Sequence, residues 1–274
     1  MKHLLLSVFI IASILGLAAQ DTVQQARQDI VEKEQPAITN PQSVAEQAQY
    51  EYQEKNYRKA IEILENEIKV QSEQGNVSSQ LYYNLGNAYF RVDEFPEAIL
   101  NYERAHLYDP GDRDTRHNIE YAMTKIEDKI LTADNFFLQI WFEGIQNLLP
   151  SDRWATISIV MFVLLMASLF LFFFSPVLKL KKVGFYTGIV LFICIIFTNI
   201  FAINQKRKIQ NRDTAIVMAG SAPVVSSPSG ASKELFILHA GTKVEINKSD
   251  GGWYEIEIAN GSIGWIQKEM IEII

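Results

Sequence analysis

The sequence predicts a multidomain membrane protein built from an all-α repeat solenoid, a two-helix transmembrane hairpin and a small all-β barrel. Three observations carry that prediction. Residues 154–174 and 183–203 contain no charged side chain, residues 79–112 space small and aromatic residues as two crossing helices require, and residues 213–274 alternate like short strands separated by glycine turns.

The chain opens with Lys2 and His3, an apolar run from Leu4 to Leu17, and the small residues Ala18 and Ala19. A basic start, an apolar middle and a small-residue exit make a secretory signal, so residues 1–19 are predicted to be a signal peptide. An uncleaved N-terminal anchor is the alternative, although the run is shorter than the ~20 residues that span a bilayer. Both readings export the residues from 20 up to the first span. Residues 20–41 are a polar linker. Formal charge is −7, with 21 acidic against 12 basic residues over 21–130 and 8 against 4 over 213–274. Two acidic folded parts argue against nucleic acid as a partner.

In residues 79–112, Tyr82, Leu85, Gly86 and Tyr89 are followed by Ala98, Tyr102, Ala105 and Pro110. Gly86, Ala98 and Ala105 are small where two antiparallel helices cross, the tyrosines and Leu85 fill the spaces between them, and Pro110 ends the second helix. This pattern resembles the tetratricopeptide repeat (TPR) at every position. Upstream, Asn56-Tyr57 and Ala60-Ile61 repeat the start of a second helix; Ala60 and Ala98 are 38 residues apart, four more than one repeat. The polar stretch Gln71 to Val77 is expected to absorb the excess as a loop. The preceding helix, Ser43 to Glu54, carries Glu51 where an aromatic is usual. Downstream, Arg116 to Ile130 keeps helical spacing with one apolar side. Residues 42–130 are therefore read as TPR-like helical repeats of five helices, fewer than the three full repeats that such arrays usually need.

An array of this kind offers binding. The first helix of each unit lines a groove, and its predicted protein-binding positions are Tyr83, Asn87, Phe90, Arg91 and Asn118: asparagine can hydrogen-bond an extended peptide's backbone while the rings cover its side chains. Tyr83 and Phe90 packing only against neighbouring helices is the alternative.

Residues 131–153 form a juxtamembrane aromatic segment with Phe136, Phe137, Trp141 and Phe142. These fit an interfacial belt or a helix lying on the membrane surface, or else they pack onto the repeats. The transmembrane helices 154–174 and 183–203 are each about 31 Å long, matching a hydrocarbon core of ~30 Å. Between them, the loop 175–182 contains Pro176 and Lys179, Lys181 and Lys182, which the positive-inside tendency places in the cytoplasm. Signal and loop agree on that orientation. The basic linker 204–212, with Lys206, Arg207, Lys208 and Arg212, points the other way.

Residues 213–274 contain five predicted strands, at 214–219, 236–238, 242–247, 253–259 and 262–267, with hairpin turns at Asp250-Gly251-Gly252 and Asn260-Gly261. Five short strands in this length favour a small barrel. The elements Gly241-Thr242-Lys243-Val244, Gly252-Trp253-Tyr254 and Gly264-Trp265-Ile266 resemble bacterial SH3 (SH3b) domains. That family's usual arginine is missing from Val224-Val225-Ser226-Ser227, which puts a wall-ligand role in doubt; Trp253 and Trp265 are read as core and hairpin anchors.

No catalytic residue, cofactor or metal site is predicted. His3, His106, His117 and His239 stand apart without ligand spacing, the single cysteine is Cys194 within a span, and no HExxH, GxSxG or P-loop occurs. The order signal, TPR, two spans and SH3b is similar to the BatE family of aerotolerance (Bat) operons in Bacteroides-like bacteria. That resemblance implies a multi-pass protein of the bacterial inner membrane with TPR and SH3b domains in the periplasm. It also implies von Willebrand factor A-domain Bat proteins and a MoxR-type ATPase as partners, beside membrane lipid. The expected function is a non-enzymatic, membrane-anchored scaffold; a peptidoglycan sensor acting through the SH3b domain is the alternative.

Overall fold

A computed structural model of the chain describes residues 43–76, 78–129 and 137–274. The predicted signal peptide and polar linker, and residues 131–136 of the juxtamembrane segment, lie outside the described residues. Among the described residues five helices come first: α1 (Val44–Gln53), α2 (Tyr57–Glu73), α3 (Ser79–Arg91), α4 (Phe95–Tyr108) and α5 (Arg113–Met123). Helix α1 starts in a capping box, in which Ser43 Oγ accepts from the Glu46 amide and Glu46 Oε2 accepts from the Ser43 amide. Asp112 caps α5 by accepting from the Asp114 and Thr115 amides.

The two helix pairs share one turn. Lys55 and Asp93 both adopt left-handed backbone, φ 64° and 61°. The next amides, of Asn56 and Glu94, reach back to the carbonyls of Glu51 and Tyr89 at 2.8 and 3.1 Å, the closure that satisfies a helix C-terminus. Gly86 explains why the pair α3–α4 can approach so closely: a Cβ there would stand 2.6 Å from Tyr102 Cδ1. Glu51, at the position where an aromatic is usual, is buried and accepts from Asn56 Nδ2 (2.9 Å) and Lys59 Nζ (2.5 Å). The Lys59 bond holds its carboxyl below the usual carboxylate range. The excess over one repeat is taken up differently from the sequence expectation. Helix α2 continues through Glu73 and so lengthens the helix as well as the loop, with Gln71 Nε2 donating to Glu67 Oε1 one turn back.

After the repeats, α6 (Phe137–Gln146) leads into α7 (Ser151–Phe174) and α8 (Leu178–Asn211). Helices α7 and α8 are long and apolar enough to cross a membrane, and most of their large side chains are exposed. Their polar residues turn toward one another. Ser168 Oγ donates to the Gly184 carbonyl (2.7 Å) and Asn199 Nδ2 to Ser158 Oγ (2.6 Å), while Gly184 and Gly188 are buried in the crossing. A Cβ on Gly184 would meet Ser168 O at 2.8 Å. Small residues four apart at a close crossing are the usual way for helices to associate where no water drives them together.

Two boundaries differ from the sequence reading. The predicted loop 175–182 shrinks to Ser175, Pro176 and Val177, because α8 already begins at Leu178. The predicted basic linker 204–212 is helical through Asn211, and Arg212 closes the helix in left-handed backbone, φ 46°. Lysine, arginine and glutamine are good helix formers, so this polar stretch simply prolongs α8. Helix α6 is fastened to the same place: Trp154 Nε1 and Gln205 Nε2 both donate to the Gln146 carbonyl (2.9 and 3.1 Å), and Phe142 packs on Phe201 at 4.9 Å between ring centroids. Phe137, Ile140 and Trp141 stay exposed, an apolar face continuous with the spans. A contact with the repeats comes from Gly111, where a Cβ would meet the Leu148 carbonyl oxygen at 2.4 Å.

The remaining strands, β1 (Thr214–Val217), β2 (Ala222–Val225), β3 (Glu234–Leu238), β4 (Lys243–Asp250), β5 (Trp253–Glu257), β6 (Ile263–Gln267) and β7 (Ile271–Ile273), form an antiparallel sheet in the order β3-β2-β6-β5-β4-β1-β7. Seven strands replace the five expected. Its inner face gathers Ala215, Val217, Val224, Leu238, Val244, Ile256 and Ile266 into one core, and the turns at Gly251 and Gly261 take positive φ.

Strand β1 is buried on both faces. Ala215 and Val217 enter the barrel core, while Ile216 joins Ile274, Ile99, Tyr102, Ile119 and Ala122 in a second core shared with α4 and α5. Gly241, at φ 92°, permits this contact, since a Cβ there would stand 2.4 Å from Ile126 Cγ2. The half-repeat therefore finds its missing apolar cover on the barrel.

Replacing Gly86 by Ala tests the helix crossing. Alanine gains about 1 kcal/mol of helix propensity, but overpacking against Tyr102 costs about 1–3 kcal/mol. The expected outcome is a net loss of stability in chemical unfolding of the full-length protein in detergent, with Tyr102→Leu relieving it by at least about 1 kcal/mol in a double-mutant cycle.

Candidate functional site

The predicted groove residues come together on α3 and α5. Asn118 Nδ2 donates to Tyr83 Oη (3.3 Å) and to Asn87 Oδ1 (3.1 Å), and Tyr102 Oη donates to the same Asn87 oxygen (2.8 Å). Asn84 and Asn118 fall one repeat apart in sequence, but the residue that Asn118 meets is Asn87, one helical turn farther along α3. Phe90 packs between Phe95 and Tyr121, at 5.4 and 5.5 Å between ring centroids. Arg91 reaches across to α1, where its Nε donates to Tyr52 Oη (3.0 Å) and its guanidinium lies over the same ring. Tyr83, Asn87, Phe90 and Asn118 are half-buried and Arg91 is exposed, so the set forms a polar-aromatic surface whose residues fix one another. Tyr121, exposed beside Phe90 with Lys125 over its ring, belongs to this surface although its sequence spacing does not single it out.

The residues predicted to hold the repeat lie beneath. Tyr82, Leu85, Gly86, Ala98, Tyr102, Ala105 and Pro110 are buried and Tyr89 is half-buried. Tyr82 stacks on Tyr108 at 5.9 Å, and the Arg104 guanidinium lies over the Tyr82 ring. Tyr89 donates to Glu65 on α2. Burial pushes the hydroxyls of Tyr83 and Tyr102 above their ordinary pKa, keeping them as neutral donors.

A second polar constellation joins repeats to barrel. Asp128, just past α5, accepts from the His239 amide (2.8 Å), the His239 ring Nδ1 (2.7 Å) and Thr242 Oγ1 (2.6 Å). Lys243 Nζ reaches the buried Glu103 at 2.6 Å, and Arg104 donates to Glu272 Oε1 and the Ile273 carbonyl, both at 2.8 Å. These partners are more than 100 residues apart in sequence, so no local pattern could pair them. One signal was present: Ala215 to Met218 and Ile271 to Ile274 hold more apolar residues than a one-sided strand requires.

Trp253 and Trp265 depart from the core part of the anchor reading. They are only half-buried and stand outside the barrel core, which takes their strand neighbours Tyr254, Ile256 and Ile266. Strand alternation puts both rings on the outer face, where Trp265 opposes Glu255 and Trp253 opposes Gln267. Among the described residues, no three His, Cys, Asp or Glu side chains converge to hold a metal ion. Burial pushes the His106 pKa below its ordinary value, and its ring Nδ1 has no hydrogen-bond partner among the described residues.

Residues 79–112 match the family model of the tetratricopeptide repeat, and residues 221–272 match that of the bacterial SH3 domain. No curated protein matches the chain. Both domain types are typically interaction modules: tetratricopeptide repeats take protein partners, and bacterial SH3 domains are associated with cell-wall binding.

The Asp128–His239 contact makes the junction pH-dependent. The Asp128 hydrogen bond raises the His239 pKa, so its contribution is fully present below about 6.5, the unfolded value, and is lost as pH rises through the raised value. Burial alone would push Asp128 up, but the Thr242 hydroxyl and the His239 amide and ring outweigh it and hold it low. Its contribution is present above about 3.9 and is lost as pH falls through the lowered value. Amide exchange in β1 and β7 of the full-length protein in nanodiscs, corrected for intrinsic rates, is expected to be slower at about pH 5.5 than at about pH 8. His239→Gln removes that difference; a difference that survives the substitution would refute the assignment.

Proposed function

We propose that the protein is a membrane-anchored scaffold whose repeat groove holds a segment of a partner protein beside the bilayer. The observation that carries this reading is the surface formed by Tyr83, Asn87, Phe90, Tyr121 and Asn118. Asn87 Oδ1 and Asn118 Nδ2 are used by their neighbours and the Asn87 amide also faces the Tyr83 hydroxyl, which orients both amides and leaves Asn118 Oδ1 as an acceptor. A peptide backbone presents the complementary donor, and side chains already held in place bind without a further ordering cost.

The domain order supports an assembly of the aerotolerance (Bat) type. The partners would be von Willebrand factor A-domain Bat proteins and an associated MoxR-type ATPase, with the protein spanning the bacterial inner membrane twice and both folded parts in the periplasm. The shared core of barrel and repeats supports a common side for the two, and the lysines at the hairpin turn support a cytoplasmic loop.

A second reading has its own support. Trp253 and Trp265 on the outer face of the barrel offer rings to a wall saccharide, so peptidoglycan recognition is the competing role.

Pull-down with the full-length protein separates the two. A Tyr83→Ala, Asn87→Ala double variant is expected to lose von Willebrand A-domain partners by about tenfold or more while still inserting in the membrane. Full retention of those partners, together with loss of sedimentation with purified wall in Trp253→Ala, Trp265→Ala, would replace the scaffold reading with the wall reading.

A further inference from the structure

One face of α6 is open. Phe137, Ile140, Trp141 and Gly144 fall at i, i+3, i+4 and i+7 and so form a single stripe along the helix. The three large side chains are 67, 56 and 64% exposed, and a Cβ on Gly144 would meet no atom within 4 Å. The one charged residue of the helix, Glu143, is turned aside into a cleft with Arg207 and Lys208. An exposed apolar stripe bordered by polar groups marks a surface made for contact.

The contacts of α6 set the level at which that stripe lies. Phe142 packs on Phe201 at 4.9 Å between ring centroids, and the Gln146 carbonyl accepts from Gln205 Nε2 at 3.1 Å. About one helical turn separates the two contacts on each helix, in the same order, so α6 lies along α8 and points the same way. Phe201 belongs to the uncharged stretch 183–203, and Gln205 lies just past its end. Trp154, which opens the other uncharged stretch, donates to the same Gln146 carbonyl (2.9 Å). Gln146 is thus level with the ends of both spans, and the residues before Phe142 lie on the apolar side of that level. At 1.5 Å per residue, Phe137 reaches up to about 7 Å inward of Phe142. The stripe therefore continues the exposed apolar surface of α7 and α8. Its depth is also bounded. The first amides of a helix have no acceptor within it, and hydrocarbon supplies none, so the start of α6 stops where headgroups and water still reach.

We infer that α6 is a third membrane element, embedded in one leaflet with Phe137, Ile140 and Trp141 among the acyl chains just beneath the headgroups. Continuity with the spans and a level fixed by Phe201 and Gln205 make bilayer lipid the occupant of the stripe. The helix also stands between hairpin and repeats, since the Leu148 carbonyl that follows it approaches Gly111. It gives the repeats a hold on the membrane separate from α8. This assignment rests on the hairpin crossing a bilayer, which the experiment reads independently.

The test is spin labelling of the full-length protein in nanodiscs of phosphatidylethanolamine and phosphatidylglycerol, in a Cys194→Ala background. Single labels go on Ile140→Cys and Trp141→Cys in the stripe, on Val163→Cys at the exposed side of α7, and on Lys248→Cys in the barrel. Collision rates with oxygen and with a water-soluble nickel chelate report depth. The stripe labels are expected to lie about 5–10 Å inside the headgroup boundary, with Val163 deeper and Lys248 in water. Stripe labels that meet the chelate as freely as Lys248, while Val163 stays in lipid, would overturn the assignment and leave the hairpin reading intact. Shielding of the stripe from both reagents would overturn it too, giving the face to protein, and spin–spin broadening would identify a second copy. A water-exposed Val163 would sink both readings.

Discussion

Outside the apolar hairpin, the structure depends on one strand with no solvent face. Strand β1 gives Ala215 and Val217 to the barrel and Ile216 to helices α4 and α5. Full burial of one such side chain is worth about 1.5–3 kcal/mol, and successive residues of one strand serve two cores at once. The repeats end on a half unit whose apolar side needs cover, and the barrel supplies it. Neither part is a separate bead on a string. The charged contacts around the junction, Lys243 with Glu103 and Arg104 with Glu272, then fix how the two surfaces register.

This shared core constrains the membrane segment as well. Two parts separated in sequence by the hairpin share a core, which suits a chain that two spans would return to the side it left. The close crossing at Gly184 and the Ser168–Gly184 hydrogen bond keep the two helices paired. The ring of Phe201 between Phe142 and Trp154, with Gln146 accepting from both sides, closes the end of the hairpin. The polar and aromatic residues at that level thus join three elements that the sequence presents as successive segments.

Much of the architecture is legible in the sequence because its physical causes are local. Gly86, Ala98 and Tyr102 declare a helix crossing through their sizes alone, the uncharged runs declare spans, and Gly251 and Gly261 declare turns. The features that escape such reading are either short or distant. Strand β2 carries Pro223, a residue that argues against a strand, and β7 has three residues at the end of the chain. Repeat position alone points to the groove candidates, yet Tyr121 and the mutual bonding of Asn87 and Asn118 require the helices to be placed. Asp128 and His239 are acidic and basic residues of no evident pattern until the fold sets them together. The cations 206–212 are plain in the sequence, but their polarity suggests a linker and hides their helix propensity.

The unbroken course of α8 has a mechanical consequence. With residues 204–211 helical, only Arg212 and Asp213 stand between α8 and the start of β1 at Thr214, and β1 packs against both the barrel and the repeats. Helix α8 is then a rigid lever. When the hairpin leans to suit a thinner or thicker membrane, the outer body must swing with it, and the groove changes its angle and height above the lipid surface. A partner seated in that groove would feel membrane thickness as a change of position.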